Sequence, residues 1–220
     1  MIARVGSWAG VDLWTIELDV SPESSTLSAD ELRRVERCLD PTHAQRLRAS
    51  RVGLRAVLSG YLDVAPADIV FSRTRAGAPV LVGQPKQDFS LSRSRRFALV
   101  AVGLGRRVGV DLQGPAPASN DCTALARHVL DADERVVFET LDAGRRRQTF
   151  LAAWTRREAA LKAMDVGLLD PRAPTPDETG EYALLSSGWQ LLRPSLATRE
   201  TIALVVEATP TQTDVSARVS

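Results

Sequence analysis

The sequence predicts an α+β protein built from two α/β subdomains, and three observations lead there. Apolar patterns of period two and of period 3.6 both occur on each side of residue 114. The short β-like runs between residues 69 and 112 are parted by Gly, Pro and Ser-Arg breaks, the pattern of a small, mainly antiparallel sheet. Gly114-Pro-Ala-Pro-Ala-Ser then reads as a turn-rich linker, after which the texture becomes more helical. Residues 1–113 are therefore expected to form an N-terminal subdomain, 114–208 a C-terminal one, and 209–220 a flexible polar tail, with no sequence repetition between the halves.

In chain order, Val11 to Val20 alternates apolar and polar residues and predicts a strand. Ser28 before Ala-Asp-Glu-Leu marks a helix start with acids in its first turn; Leu32, Val35, Cys38 and Leu39 give it an apolar stripe, and Pro41 closes it. A long helix is expected over 42–62, where Leu47, Leu54, Val57, Leu58, Tyr61 and Leu62 have helical spacing. Strands follow at 69–74, 80–82, 88–91, 97–104 and 108–112. Residues 121–141 predict one or two short helices, and 147–164 a stronger one, apolar at Phe150, Leu151, Trp154, Ala160, Leu161 and Met164. Residues 170–179, rich in proline, predict a loop, and strands are expected at 182–185, 189–192 and 202–206.

Composition excludes several classes. The 220 residues are 44% hydrophobic, enough for a core without disulfide or metal staples. A formal charge of +1 argues against a polyanion binder, so no nucleic-acid partner is expected. Cys38 and Cys122 are too few and too far apart for a zinc or disulfide framework, which suits a reducing compartment. The start lacks an apolar signal core and no run is long enough to span a bilayer; a cytoplasmic protein without membrane attachment is expected. His43 and His128 lack metal-ligand spacing.

Two stretches carry chemistry. In Gly109-Val-Asp111-Leu-Gln113 a strand would turn Asp111 and Gln113 to one side. In Trp154-Thr-Arg-Arg-Glu158-Ala-Ala-Leu-Lys162 the residues Trp154, Glu158 and Lys162 recur every four positions, so a helix stacks them on one face. By spacing alone, Glu158 and Lys162 are an ordinary exposed pair worth a few tenths of a kcal/mol. Lysine, however, occurs only at 86 and 162 in an arginine-rich chain, which singles out Lys162. An acid pair with a lysine suits a divalent cation holding a diphosphate, since Mg²⁺ takes a few carboxylates plus substrate oxygens.

The chain resembles the Sfp-type 4'-phosphopantetheinyl transferases. The resemblance runs through Leu27-Ser-Ala-Asp-Glu, Leu54-Arg55-Ala-Val-Leu, Gly77-Ala-Pro79-Val-Leu, Phe89-Ser-Leu-Ser92-Arg93-Ser94, Gly109-Val-Asp111-Leu-Gln113 and Trp154-Thr-Arg-Arg157-Glu158-Ala-Ala-Leu-Lys162, in the family's order and spacing. It implies a monomer whose similar α/β subdomains are related by a pseudo-twofold, with coenzyme A and Mg²⁺ in the cleft between them. Asp111, Gln113 and Glu158 are implied as metal ligands; Asp111, Glu158 and Lys162 as catalytic residues; and Arg34, Arg51, Arg73, Arg75, Ser92, Arg93 and Lys162 as the coenzyme A contacts. Trp154 would position the glutamate helix, and Glu134 is a secondary acid.

The implied reaction is that of a holo-[acyl-carrier-protein] synthase: the serine hydroxyl of an acyl or peptidyl carrier protein attacks the pantetheine-linked phosphorus and releases 3',5'-ADP. Glu158 or a water on the cation takes the serine proton, and arginines within 114–141 would face an acidic carrier. The chain departs from the family pattern in Ser92-Arg93-Ser94 for Ser-His-Ser, in Gly77-Ala78-Pro79 for Gly-Lys-Pro, and in Gln113 for a second acid. These departures also fit a noncatalytic carrier-binding relative, and the acids alone would fit a Mg²⁺ nucleotide hydrolase. Phosphopantetheine appearing on an apo carrier separates the first reading from both.

Overall fold

The computed structural model describes residues 1–115, 122–168, 170–171, 173–196 and 200–208. Strand β1 (Ile2–Trp8) and β2 (Val11–Glu17) form a hairpin closed by Ala9 and Gly10, both at positive φ (48° and 75°), as a two-residue turn with the twist of the strands requires. The sequence reading passed over β1. Its alternation is broken by a bulge between Arg4 and Gly6, and the Trp8 ring lies over Gly6 where a Cβ would sit. Two later strands, β5 (Gln87–Arg93) and β6 (Phe97–Leu104), complete an antiparallel sheet of order β1-β2-β6-β5.

Helix α1 (Ala29–Glu36) starts on a Ser28–Glu31 capping box. Helix α2 (Pro41–Leu62) starts on Asp40, whose side chain accepts from the Thr42 and His43 N–H groups. Pro41 thus opens α2 at its first position, where a missing N–H costs nothing, rather than closing α1. Leu39, expected on the α1 stripe, is fully exposed beyond that helix's end. Leu54, Val57 and Leu58 of α2 pack on Ile16, Ala98, Val100 and Val102, one face of the sheet.

The single sheet expected over 69–112 is divided. Strands β3 (Phe71–Arg73) and β4 (Pro79–Leu81) pair only with each other, and β7 (Val108–Gln113) joins β8 (Trp189–Leu192) and β9 (Thr201–Glu207) in order β7-β9-β8. The apolar pattern shows that β7 is buried, but its partner lies about a hundred residues away, and pairing across such a distance leaves no local signal. The second face of the first sheet (Val11, Leu13, Leu99, Ala101) packs on Val108, Val110, Leu112, Ile202, Leu204 and Val206. The outer face of β9 (Ala203, Val205) is covered by Ala159, Ala160 and Ala163 of α5 (Ala143–Met164). The layers therefore run α2, sheet, sheet, α5, a mixed α/β architecture with every strand pair antiparallel among the described residues.

Short helices α3 (Thr123–Ala126) and α4 (Ala132–Thr140) occupy the region where one or two were expected. Helix α5 begins before Arg147 because Asp142 caps it, taking the Gly144 and Arg145 N–H groups. Residues 182–185, expected as a strand, lie within helix α6 (Glu181–Ser186). Leu184 is buried there while Leu185 is largely exposed, so one inward leucine per turn satisfies the core. Most of the expected linker (116–119) and the tail over 209–220 lie outside the described residues. No helix among the described residues is long and apolar enough to cross a membrane.

Candidate active site

Strand β7 distributes its side chains by alternation. Val108, Val110 and Leu112 enter the core between the sheets, which leaves Gly109, Asp111 and Gln113 facing α5. A Cβ at Gly109 would lie 2.0 Å from the Ala159 carbonyl oxygen and 2.5 Å from the Ala163 nitrogen. Only glycine permits this approach of strand to helix, and the approach sets Asp111 against the next turn of α5. Asp111, 2% exposed, receives the Lys162 ammonium at 2.6 Å and the Ser92 hydroxyl at 2.8 Å on Oδ1, and the Gln113 amide N–H at 2.8 Å on Oδ2. Lys162 also donates to the Val110 carbonyl at 3.2 Å.

Glu158 sits one turn before Lys162 on the same face. Burial pushes its carboxyl above the ordinary glutamate range; Lys162 pulls it back and the charge of Asp111 pushes it further up. The two acids therefore feel each other, each contributed by a different element. The donors here, two carboxylates and the Gln113 amide oxygen, are hard oxygens that fit Mg²⁺. No group of three or more His, Cys, Asp or Glu residues able to hold a metal occurs among the described residues, so phosphate oxygens and water would supply the remaining positions.

The outer edge of β7 is finished by side chains of β5. Asp88 Oδ2 accepts from the Val108 N–H (2.9 Å), Ser90 Oγ from Val110 (3.0 Å) and Ser92 Oγ from Leu112 (3.1 Å). These rungs satisfy an edge strand that no backbone covers. The sequence reading did not single out Asp88 and Ser90, although polar residues at every second position of an otherwise apolar strand are their signal. Ser92, expected on coenzyme A, is 5% exposed and bound to Asp111 and Leu112.

The arginines divide by location. A cavity of about 330 Å³ is lined by Arg51, Arg93, Lys162 and Asp165 together with Gly77 and Ala78. Burial lowers the affinity of Arg51 for its proton and the neighbouring Arg93 lowers it further, while the charge of Glu31 acts in the opposite sense; two arginines crowded in one cavity suit an anion. A second cavity of about 340 Å³ shares Arg51 and adds Arg34 and Arg73. Arg34 is paired with Asp30 at 2.9 Å, and Arg73 donates to the Gly77 carbonyl. Arg75 is exposed in the β3–β4 turn and lines neither cavity.

Arg55 is structural. It is 2% exposed and binds Glu31 at 2.8 Å and the carbonyls of Pro66 and Ile69. Glu134 is drawn away from the acid pair, since its oxygens accept from Arg156 at 2.5 and 2.7 Å while it completes the α4 capping box with Asp131. Trp154 packs with Phe150, ring centroids 6.0 Å apart, against Val129, Leu130 and Phe138, and so fixes α5 to α3 and α4. Arg145, Arg146 and Arg147 form the first turns of α5.

The sequence model of the 4'-phosphopantetheinyl transferase superfamily matches residues 107–199. The 4'-phosphopantetheinyl transferase HetI of Nostoc sp. (strain PCC 7120) is 35% identical over 195 residues, 83% of this chain and 81% of that one. The L-aminoadipate-semialdehyde dehydrogenase-phosphopantetheinyl transferase of Eremothecium gossypii is 29% identical over 190 residues, 70% of this chain and 67% of that one. The matched segment contains Asp111, Glu158 and Lys162, and the similarity to HetI extends over most of the chain, so the protein belongs to the 4'-phosphopantetheinyl transferase superfamily.

Proposed function

We propose that the protein transfers the 4'-phosphopantetheine group from coenzyme A to a serine of apo acyl or peptidyl carrier proteins, in a Mg²⁺-dependent reaction that releases 3',5'-ADP. The observation that carries this reading is the meeting of Asp111 with Lys162 at 2.6 Å, in a site where the charge of Asp111 also acts on Glu158. Asp111, Glu158 and the amide oxygen of Gln113 would hold Mg²⁺, which supplies charge neutralisation to the diphosphate. Arg51 and Arg93 bind phosphate through planar donor forks, and Arg34 and Arg73 extend that cationic wall. Arg75, exposed in the β3–β4 turn and outside both cavities, would meet the same nucleotide at its rim.

In the transfer, the carrier serine Oγ forms a bond to the pantetheine-linked phosphorus, the phosphorus–oxygen bond to 3',5'-ADP breaks, and Glu158 takes the serine proton. Burial makes Glu158 a stronger base than an exposed glutamate. Lys162 donates to the oxygen that gains charge on the leaving side, and its bond to Asp111 holds it in place beforehand. Positioning and charge stabilisation do the work, and no covalent enzyme intermediate is needed.

The same reading takes residues 1–113 and 114–208 as two subdomains related by a pseudo-twofold, with the site in the cleft between them and 209–220 as a tail. The matching strand orders β2-β6-β5 and β7-β9-β8 support it, although β7 lies in the second sheet. A cytoplasmic monomer acting on carriers of fatty acid, polyketide or nonribosomal peptide synthesis completes the proposal. The test is incubation with coenzyme A, Mg²⁺ and an apo carrier protein, followed by intact-mass analysis. The expected result is a carrier heavier by one phosphopantetheine group, lost when Mg²⁺ is chelated. Carrier binding without that gain supports the noncatalytic alternative.

A further inference from the structure

We propose that Ser92 is a positioning residue for Asp111, acting through the junction between the two sheets rather than on coenzyme A. This rests on the reaction proposed above. Ser92 Oγ makes two bonds at once: it accepts the Leu112 N–H at 3.1 Å and donates to Asp111 Oδ1 at 2.8 Å. The first bond fixes β5 against the edge of β7, and the second converts that register into one orientation of the carboxylate. With Lys162 also on Oδ1, that oxygen has both lone pairs engaged. Among the described residues Oδ2 accepts only from Gln113, which leaves one lone pair for a further ligand.

Ser92 thus decides which carboxylate oxygen is presented. At 5% exposure its hydroxyl is committed inside the protein, and it lines neither arginine cavity. Its neighbour Arg93 projects from the opposite face of β5 into the cavity shared with Arg51. Consecutive residues of one strand therefore serve the two ends of the site: Arg93 the anion, Ser92 the metal acid. A shift of β5 on binding at Arg93 would be felt at Asp111 through a single residue.

The test compares S92A, S92T and D88A with the parent protein. D88A removes another rung of the same edge, the one at Val108, without touching Asp111. Mg²⁺ affinity is measured without turnover, by calorimetric titration of the coenzyme A complex, beside kcat, KM and thermal unfolding. S92A is expected to weaken Mg²⁺ binding and lower kcat by about 10- to 100-fold, the size of effect seen for outer-shell partners. Its KM for coenzyme A should change little. S92T should recover most of the loss, and D88A should lower the Tm without shifting Mg²⁺ affinity. If S92A does not fold, S92C, which keeps the volume and offers only a weak donor, is expected to show the same shift.

Equal Mg²⁺ affinity in S92A and the parent, or an equal shift in D88A, overturns the inference. So does a loss in S92A confined to the KM for coenzyme A. If the parent itself binds no Mg²⁺ with coenzyme A, it is the proposed function that fails.

Discussion

Helices α2 and α5 are each 22 residues long, and each begins on an aspartate that caps two backbone N–H groups, Asp40 and Asp142. Each ends on an aspartate in the left-handed conformation, Asp63 and Asp165. Each is preceded by a short helix whose capping-box glutamate pairs with a buried arginine of the long one, Glu31 with Arg55 and Glu134 with Arg156. Trp14 of β2 lies opposite Val100 of β6, as Asp111 of β7 lies opposite Ala203 of β9. The difference is in what faces the helix. Counted from the helix starts, Glu158 and Lys162 of α5 correspond to Ala56 and Gly60 of α2. Trp14, at the place of Asp111, donates to Tyr61, one residue past the Gly60 that corresponds to Lys162, at 2.8 Å, and Tyr61 donates to Asp12 at 2.7 Å. One scaffold thus supports two surfaces, and the chemistry proposed above resides in a few side chains of the second.

The comparison breaks most visibly by removing that chemistry. E158Q and D111N should each lower kcat by about 100- to 10,000-fold with the unfolding transition retained, whereas A56E in α2 should leave turnover within about twofold. A loss under tenfold in E158Q, measured by carrier mass gain over time, would sink the role given to that acid. The next largest difference concerns close approach. At Gly109 the added methyl meets backbone atoms that cannot turn aside; at Gly53 it meets the Ile16 side chain at 2.6 Å, which can repack. G53A should cost about 1–3 kcal/mol in denaturant unfolding and G109A clearly more, with loss of activity.

The buried pairs sharpen the comparison further. R55M strands Glu31 and leaves the Pro66 and Ile69 carbonyls without their donor, so it should cost about 3–5 kcal/mol; R156M, whose partner is 28% exposed, should cost less. Glu134 adds a pH signature. Burial, the largest single influence, would raise its carboxyl, but the hydrogen bonds and charge of Arg156, the Asp131 N–H and the charge of Arg193 together hold it below the ordinary range. A depressed folded-state pKa contributes stability present above the unfolded value, about 4.3, and lost as pH falls through the folded value. E134Q should therefore lower the Tm at pH 7 and converge with the parent in acid.

The smallest effect lies at the helix ends. D63G should stabilise by about 0.5–1 kcal/mol, because glycine takes the left-handed conformation without the Cβ penalty. D165G should gain more, since it also removes a buried carboxylate oxygen with no partner among the described residues. Equal gains at the two positions would remove that distinction.

Much of this was legible in the chain. The long helices and the strands at 97–104 and 108–112 announce themselves by periodicity, whereas the roles of Asp111, Glu158 and Lys162 rest on the family resemblance, since spacing alone makes Glu158 and Lys162 an ordinary helix pair. The strand β1 was hidden because its bulge breaks the alternation that reveals the equally long β2, and α6 because six residues hold too few repeats to define a helical period. The family resemblance implies a coenzyme A contact at Ser92, and nothing local shows which way a strand's serine faces once two sheets are stacked.

The sequence by itself determined the long helices, most of the strands and which residues could carry the chemistry, because periodicity and residue type act within a few residues of chain. Only the tertiary structure decided that β7 leaves its neighbours in sequence for β9, that Gly109 lets α5 close on it, and that Ser92 and Lys162 share one oxygen of Asp111. Those outcomes depend on contacts between segments tens to about a hundred residues apart, and such contacts are set by the packing of whole layers rather than by any local pattern.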